Sequence, residues 1–133
     1  KKQIKCLIKI SKILIKKYRI KKQNILGHSD IAPLRKKDPG EKFPWKFLAS
    51  KKIGVWHKLN FRECNKLRGK KIIIENKFFF KKLKKFGYFI NTSKNNELKK
   101  IVNSFQRRFR PELIDGKIDI ECFEIIKTLI SSK

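Results

Sequence analysis

The first segment of the chain has the apolar period of an α-helix. Residues 3–18 place apolar side chains three and four positions apart, and lysines occupy the other face. The recurring apolar residues are Ile4, Leu7, Ile8, Leu14, Ile15 and Tyr18. Two further residues, Ile10 and Ile13, widen the stripe. The pattern predicts an amphipathic helix that buries a broad apolar face against a sheet and leaves its lysines in solvent.

A short strand is predicted next, at residues 24–27. This stretch leads directly into the polar sequence His28-Ser29-Asp30. Open α/β sheets place their chemistry just beyond the carboxyl ends of strands. Prolines and a glycine interrupt residues 31–44, which predicts a loop, and a short helix is predicted over residues 45–52. Together these elements indicate part of an α/β domain.

Helical periodicity returns in the second half of the chain. It covers residues 75–86, 94–109 and 119–131. Phenylalanine and aliphatic side chains fill the inward positions, and Asp119 is a suitable N-cap for the last helix. Three short helices in so few residues predict a compact bundle. Residues 61–71 are polar, so we expect a domain fragment at residues 1–60, then this linker, then a helical domain at residues 72–133.

The charge of the chain has two explanations. Lys and Arg total 37 against 11 Asp and Glu, a formal net charge of +26, and the chain has 11 Phe and no Met. A balance this basic favours an anionic partner such as nucleic acid. AT-rich codons also encode Lys, Ile, Phe and Asn, so genome base bias produces the same composition. Because no helix-turn-helix, zinc-finger or RNP-type sequence is present, we expect no specific nucleic-acid partner.

Cysteine usage and hydropathy narrow the class of protein further. The cysteines at positions 6, 64 and 122 are odd in number and widely spaced, so we expect buried free thiols rather than disulfides or a zinc knuckle. No apolar run reaches the roughly 20 residues of a membrane-spanning helix. The sequence therefore predicts no transmembrane segment.

One polar segment carries candidate chemistry. His28 follows the predicted strand, and Asp38 follows ten residues later in a loop that contains Pro39 and Gly40. This spacing allows an imidazole nitrogen and a carboxylate oxygen to bind one zinc ion. Lys36 would then lie near the same ion, where its ammonium could stabilise an oxyanion. The alternative is that Asp38, like Asp30, only caps local backbone amides.

The same segment resembles the type 2 N-acetylmuramoyl-L-alanine amidase family. It is similar in particular to the enterobacterial outer-membrane branch, which acts on intact and anhydro-muropeptides. The resemblance runs through Gly27-His28-Ser29-Asp30-Ile31-Ala32-Pro33, Lys36-Lys37-Asp38-Pro39-Gly40, Phe43-Pro44-Trp45 and Ile53-Gly54-Val55-Trp56.

The second half of the chain resembles the C-terminal peptidoglycan-binding domain of that branch. The similar stretches are Lys85-Phe86-Gly87-Tyr88, Ser104-Phe105-Gln106-Arg107-Arg108-Phe109-Arg110-Pro111, Asp115-Gly116 and Asp119-Ile120-Glu121. The resemblance therefore extends over nearly all of the chain.

The resemblance implies a zinc enzyme that hydrolyses the amide between N-acetylmuramic acid and L-alanine in peptidoglycan or muropeptides. It implies that His28 and Asp38 bind the zinc and that Lys36 is the catalytic lysine. The implied fold is α+β: the C-terminal portion of an α/β zinc amidase domain, with a mixed sheet flanked by helices, followed by a three-helix peptidoglycan-binding bundle. We expect a monomer that acts in the cell envelope, in the periplasm or at the outer membrane.

The chain departs from the family pattern at its upstream end. The family's first zinc histidine and its general-base glutamate lie before the first residue of this sequence, and a catalytic zinc normally has three protein ligands. His57 lies outside the family's ligand positions, and we expect it to be a surface or linker residue. The alternative function is therefore a truncated, non-catalytic remnant that binds peptidoglycan without cutting it.

Two other groups of residues leave alternatives open. The aromatic residues Phe43, Trp45 and Trp56 either line a substrate groove or pack the loop onto the sheet. The arginine cluster within residues 107–110 either contacts an anionic wall polymer or forms a solvated face.

Overall fold

The chain is helical throughout the part that the structure describes. This computed structural model describes residues 2–68, 70, 72 and 74–131. The α-helices are α1 Lys2–Tyr18, α2 His28–Ile31, α3 Trp45–Ser50, α4 Phe61–Arg68, α5 Asn76–Phe86, α6 Asn95–Phe109 and α7 Ile120–Ser131, with a 3-10 turn at Lys22–Asn24. The predicted helices are therefore present, with small shifts at their ends.

The predicted α+β class, with its mixed sheet and its strand at residues 24–27, is wrong. The described residues contain no strand. Side chains form hydrogen bonds with backbone groups that would otherwise pair with a neighbouring strand. The carbonyl of Ile25 accepts a hydrogen bond from Arg108 Nη2 at 3.1 Å, and the amide of Gly27 donates to Asp30 Oδ2 at 2.7 Å. These two groups are therefore not available to a neighbouring strand, although the residues of the segment suit one.

Helix α1 packs against a small cluster centred on α3. The cluster consists of Trp45, Leu48 and Ile53, and the partly buried side chains against it include Leu7, Ile8 and Ile15. The expected burial of the widened stripe is wrong: Ile10 and Ile13 are 50% and 56% exposed, and no residue of α1 is fully buried. Cys6, expected to be buried, is also exposed. The face of α1 that contacts this cluster is narrower than the sequence stripe.

Helices α5, α6 and α7 enclose the larger hydrophobic core. It consists of Phe79, Leu83, Tyr88, Ile101, Val102, Phe105, Phe109, Cys122, Ile125, Ile126 and Leu129. Some of its aromatic rings pack edge to face, as between Phe79 and Phe105, whose centroids lie 5.4 Å apart. The predicted N-cap of α7 is confirmed, since Asp119 Oδ1 accepts the amide of Cys122 at 2.8 Å.

A helix occupies most of the segment predicted as a linker. Helix α4 begins with a reciprocal cap, in which Asn60 and Glu63 each accept the backbone amide of the other. It packs on α7, and Arg68 near its end binds the buried Glu121 carboxylate through Nε and Nη2 at 2.7 and 2.6 Å. The bidentate pair fastens α4 to the bundle. Positions 69 and 71 of the predicted linker, like positions 1, 73, 132 and 133, lie outside the described residues.

The two clusters meet at Trp56, which packs against both. Its ring lies 5.9 Å from that of Phe109 at the end of α6. Helix α2 also contacts α6 directly. Among the described residues, no helix is long and apolar enough to cross a membrane. The contacts between α2 and α6 bring the second half of the chain against the candidate site.

Candidate metal site

The segment from Gly27 to Gly40 closes on itself. The Ser29 amide donates to the backbone carbonyl of Asp38 at 2.9 Å. Gly27 lies so close to the other end of the loop that an added Cβ would sit 2.4 Å from Pro39 Cδ. The absence of a side chain at Gly27 therefore lets the two ends of the loop meet.

This closure brings His28 and Asp38 together. Nδ1 of His28 contacts Oδ2 of Asp38, and the two side chains are 73% and 59% exposed. The hydrogen bond from His28 holds the pKa of the Asp38 carboxyl below its ordinary value, and the charge of Lys36 adds to this lowering. The three residues singled out in the sequence, His28, Lys36 and Asp38, are therefore all exposed residues of this one loop.

The donor set is suited to zinc but incomplete for a catalytic ion. An imidazole nitrogen and a carboxylate oxygen are both ordinary zinc ligands, and a catalytic site uses three protein ligands. Within the described ranges, no group of three His, Cys, Asp or Glu side chains could hold a metal ion. In this part of the chain His28 and Asp38 would supply two of the three protein ligands of such an ion.

His57 is a core residue, which corrects its expected place on the surface or in a linker. Its side chain lies in the interior, with 9% of the residue exposed, and Nε2 contacts the Phe109 carbonyl at 3.1 Å. Burial lowers the pKa of His57. Because a carbonyl can only accept, Nε2–H donates this hydrogen bond, and Nδ1 of the neutral imidazole is then an acceptor.

The Asp30 carboxylate binds residues from both halves of the chain, whereas the sequence indicated only that it caps local backbone. Its carboxylate accepts the Gly27 amide, as that alternative predicted. It also accepts the Tyr88 hydroxyl at 3.0 Å and forms an ion pair with Arg108 in which both side chains are under 5% exposed. These partners come from residues 58 and 78 positions further along the chain. Local sequence could not indicate contacts of that separation.

The two interpretations of the arginine cluster are wrong for Arg108 and Arg110, which are 3% and 1% exposed. Arg108 binds Asp30, and its guanidinium carbon lies 4.1 Å from the centroid of the Trp45 ring. Arg110 forms ion pairs with Asp115, Asp119 and Glu121. A signal was present in the sequence, because Arg108 lies seven residues after Ile101 on the inward stripe of α6.

Trp45 packs into the fold rather than lining an open groove. It is 6% exposed, and the centroids of the Phe43 and Trp45 rings lie 4.8 Å apart at an angle of 62°. Trp56 is partly buried, and it also lines a cavity of about 520 Å³ together with Lys22, Lys46 and Phe86. Trp45 therefore packs as that alternative required, but against helices and Arg108 rather than the predicted sheet, whereas Trp56 both packs and faces a cavity.

Comparison with known proteins finds relatives that match this chain over nearly all of its length. No family model matches the chain. The chain is 35% identical over 132 residues to the N-acetylmuramoyl-L-alanine amidase AmiD of Escherichia coli, a match that covers 96% of this chain and 47% of the relative. It superposes on the structure of AmiD in complex with anhydro-N-acetylmuramic acid-L-Ala-D-gamma-Glu-L-Lys with a TM-score of 0.86 and 34% identity, covering 98% of this chain and 51% of that chain.

A second solved relative has the same arrangement. The structure of AmpDh3 from Pseudomonas aeruginosa in complex with anhydromuramic pentapeptide matches with a TM-score of 0.84 and 30% identity, over 98% of this chain and 52% of that chain. The chain thus spans about half the length of the relatives that it matches. Over that half, the chain is homologous to N-acetylmuramoyl-L-alanine amidases.

Proposed function

We propose that this chain belongs to a zinc-dependent N-acetylmuramoyl-L-alanine amidase that acts on peptidoglycan or muropeptides in the cell envelope. In this proposal His28 and Asp38 bind zinc, Lys36 is the catalytic lysine, and α5–α7 form a peptidoglycan-binding unit of a monomeric protein. The observation that carries the proposal is the contact between His28 Nδ1 and Asp38 Oδ2 on an exposed loop of a chain homologous to such amidases.

The reaction is hydrolysis of the amide between the lactyl group of N-acetylmuramic acid and L-alanine. Water adds across the C–N bond, so the lactyl group leaves as a carboxylate and L-alanine gains a free amine. Zinc, when bound, supplies a Lewis acid that polarises the carbonyl group. His28 and Asp38 would orient the ion, and the ammonium of Lys36 would stabilise the negative charge that develops on the carbonyl oxygen.

Zinc binding tests the ligand assignment. Titration of the chain with Zn²⁺ should give one bound ion, and His28→Ala or Asp38→Ala should weaken its affinity at least tenfold, since each removes one of two ligands. Glu41→Ala is the matched control, because Glu41 is an exposed carboxylate in the adjoining loop. Equal affinity in the wild type and both ligand variants would refute the assignment.

Turnover tests the role of Lys36. The substrate of the AmiD complex, anhydro-N-acetylmuramic acid-L-Ala-D-gamma-Glu-L-Lys, is incubated with the chain and zinc, and released peptide is measured by mass spectrometry. Lys36→Ala should retain zinc and lose most of the turnover, whereas Lys37→Ala, an exposed neighbour with the same charge, should retain both. Loss of turnover in both variants alike would remove the specific role of Lys36.

A second function, peptidoglycan binding without cleavage, is favoured by the presence of only two zinc donors in the described part of the site. It predicts that the chain sediments with insoluble peptidoglycan and releases no peptide, with or without zinc. Peptide release that depends on zinc and on Lys36 would exclude this second function.

A further inference from the structure

We infer that the helical second half of the chain holds the candidate metal site in its working geometry, with Tyr88, Ser104 and Arg108 as positioning residues for His28 and Asp38. This inference rests on the proposed function and adds to it. The sequence suggested only a wall-binding role for these helices. The contacts of α6 give them a second role, at the site itself.

The buried residues around His28 form the first part of the case. Gly27, Ser29 and Asp30 are buried, whereas His28 between them is exposed. The chain is therefore anchored on both sides of the histidine, and the imidazole alone faces solvent. A ligand histidine on a loop binds metal well only when its backbone is fixed in advance, because disorder in the free loop must otherwise be lost on binding.

The anchors come from the second half of the chain. The hydroxyl of Ser104, a residue with no exposed surface, donates to the Ser29 carbonyl at 2.5 Å. The Tyr88 hydroxyl donates to Asp30 Oδ1 at 3.0 Å. Both bonds end on residues within two positions of His28, and neither donor is part of the loop.

Arg108 connects the two ends of this segment. Its Nη1 binds Asp30 after His28, and its Nη2 donates to the Ile25 carbonyl at 3.1 Å before it. The guanidinium also stacks on Trp45 in α3. One buried side chain thus fixes the path of the backbone on both sides of the histidine.

A backbone hydrogen bond within the loop connects this anchored segment to Asp38. The backbone N–H of Ser29 donates to the backbone carbonyl of Asp38, and the carbonyl of Ser29 accepts the hydroxyl of Ser104. The chain of contacts therefore runs from α6 through Ser29 to both metal-binding side chains. Outer residues that orient metal ligands typically affect metal affinity by about 10- to 100-fold.

The experiment compares Tyr88→Phe and Arg108→Lys with Arg110→Lys in the full chain. Arg110 is the matched control, because it lies two residues from Arg108, is equally buried and forms ion pairs that leave the loop untouched. Native-state hydrogen exchange, measured by NMR, reports the protection of the Ser29 amide without any metal. Zinc titration of the same variants reports the affinity of the site.

We expect the Ser29 amide to exchange at least tenfold faster in Tyr88→Phe and Arg108→Lys, while core amides such as that of Ile125 keep their rates. Zinc affinity should fall about tenfold in the same two variants. In Arg110→Lys any faster exchange should affect core and loop together. Tyr88→Phe keeps the ring and its packing, so it remains interpretable if Arg108→Lys folds poorly.

Unchanged Ser29 exchange in Tyr88→Phe would overturn the inference, and so would faster exchange with unchanged zinc affinity. A wild-type chain that binds no zinc, together with faster Ser29 exchange in the variants, would refute the zinc site of the proposed function and leave the anchoring of the loop by α6 established. The two failures are therefore distinguishable.

Discussion

Replacement of Asp30 by asparagine should destabilise the protein more than any other single-atom change in the described polar network. Asp30→Asn keeps the shape of the side chain but removes its charge, and Arg108 then remains buried, with 3% exposure, without a counter-charge. Loss of one partner of a buried ion pair costs about 3–5 kcal/mol. Asparagine can still accept one of the hydrogen bonds, so the lower end, about 3 kcal/mol, is expected.

Urea unfolding, followed by far-UV circular dichroism, measures this loss. A domain of ordinary stability has about 5–15 kcal/mol in total, so the variant should lose a large fraction of its stability. With a urea dependence of about 1–3 kcal/mol per molar, the midpoint should fall by about 1–3 M. Asp115→Asn is the control, because Asp115 is 29% exposed and its partner Arg110 keeps two other carboxylates. We expect the control to lose less than about 1 kcal/mol.

A loss below about 1 kcal/mol in Asp30→Asn, with cooperative unfolding retained, would refute this reasoning, because it would mean that Arg108 does not depend on the charge of Asp30. The double variant Asp30→Asn/Arg108→Met gives a second check. It removes the orphaned cation as well, so it should regain most of the lost stability. A double variant as unstable as the sum of the two single changes would show that the residues act independently.

Three further predictions concern the loop, the core histidine and the thiols. Gly27→Ala should weaken Zn²⁺ binding in titrations, because the new Cβ displaces the loop end that carries Asp38, whereas Gly40→Ala, whose Cβ meets nothing within 4 Å, should bind as the wild type does. The free energy of unfolding should decline as pH falls below about 6.5. Burial lowers the pKa of His57 in the folded state, so the unfolded chain protonates at higher pH. His57→Gln should therefore reduce the decline of stability with falling pH, and an equal decline in the variant would contradict this prediction. Under native conditions a maleimide should modify one thiol, that of the exposed Cys6, and in urea it should modify three. Cys64 and Cys122 are buried, and burial raises the pKa of Cys122 to about 12. More than one adduct on the native protein would contradict this prediction.

The period of apolar residues was sufficient to locate the four longest helices but not α2 or α4. Helices α1, α5, α6 and α7 all fall where residues recur at helical spacing, because each packs one face against a core. The strand at residues 24–27 was wrong for a physical reason. A strand forms only beside a hydrogen-bonding partner, and here the side chains of Asp30 and Arg108 bond the Gly27 amide and the Ile25 carbonyl.

The candidate site divides in the same way. By sequence, His28, Asp38 and Lys36 belong to one short loop, and chain connectivity alone keeps such residues near one another. The contact between the His28 and Asp38 side chains depends on the closed loop of the folded chain. The chemical roles proposed for these residues rest on the likeness to amidases, because spacing alone did not indicate them.

Sequence by itself therefore located helices α1, α5, α6 and α7 and revealed the likeness to amidases, from which the roles of the three candidate site residues are proposed. Tertiary structure decided which polar residues are buried, because burial depends on contacts between residues far apart in the chain. Arg108 belonged to a cluster predicted for the surface, yet it lies beneath His28 because Asp30, 78 residues earlier, supplies its counter-charge. A buried charge is stable only beside its partner, and only the folded chain brings the two together.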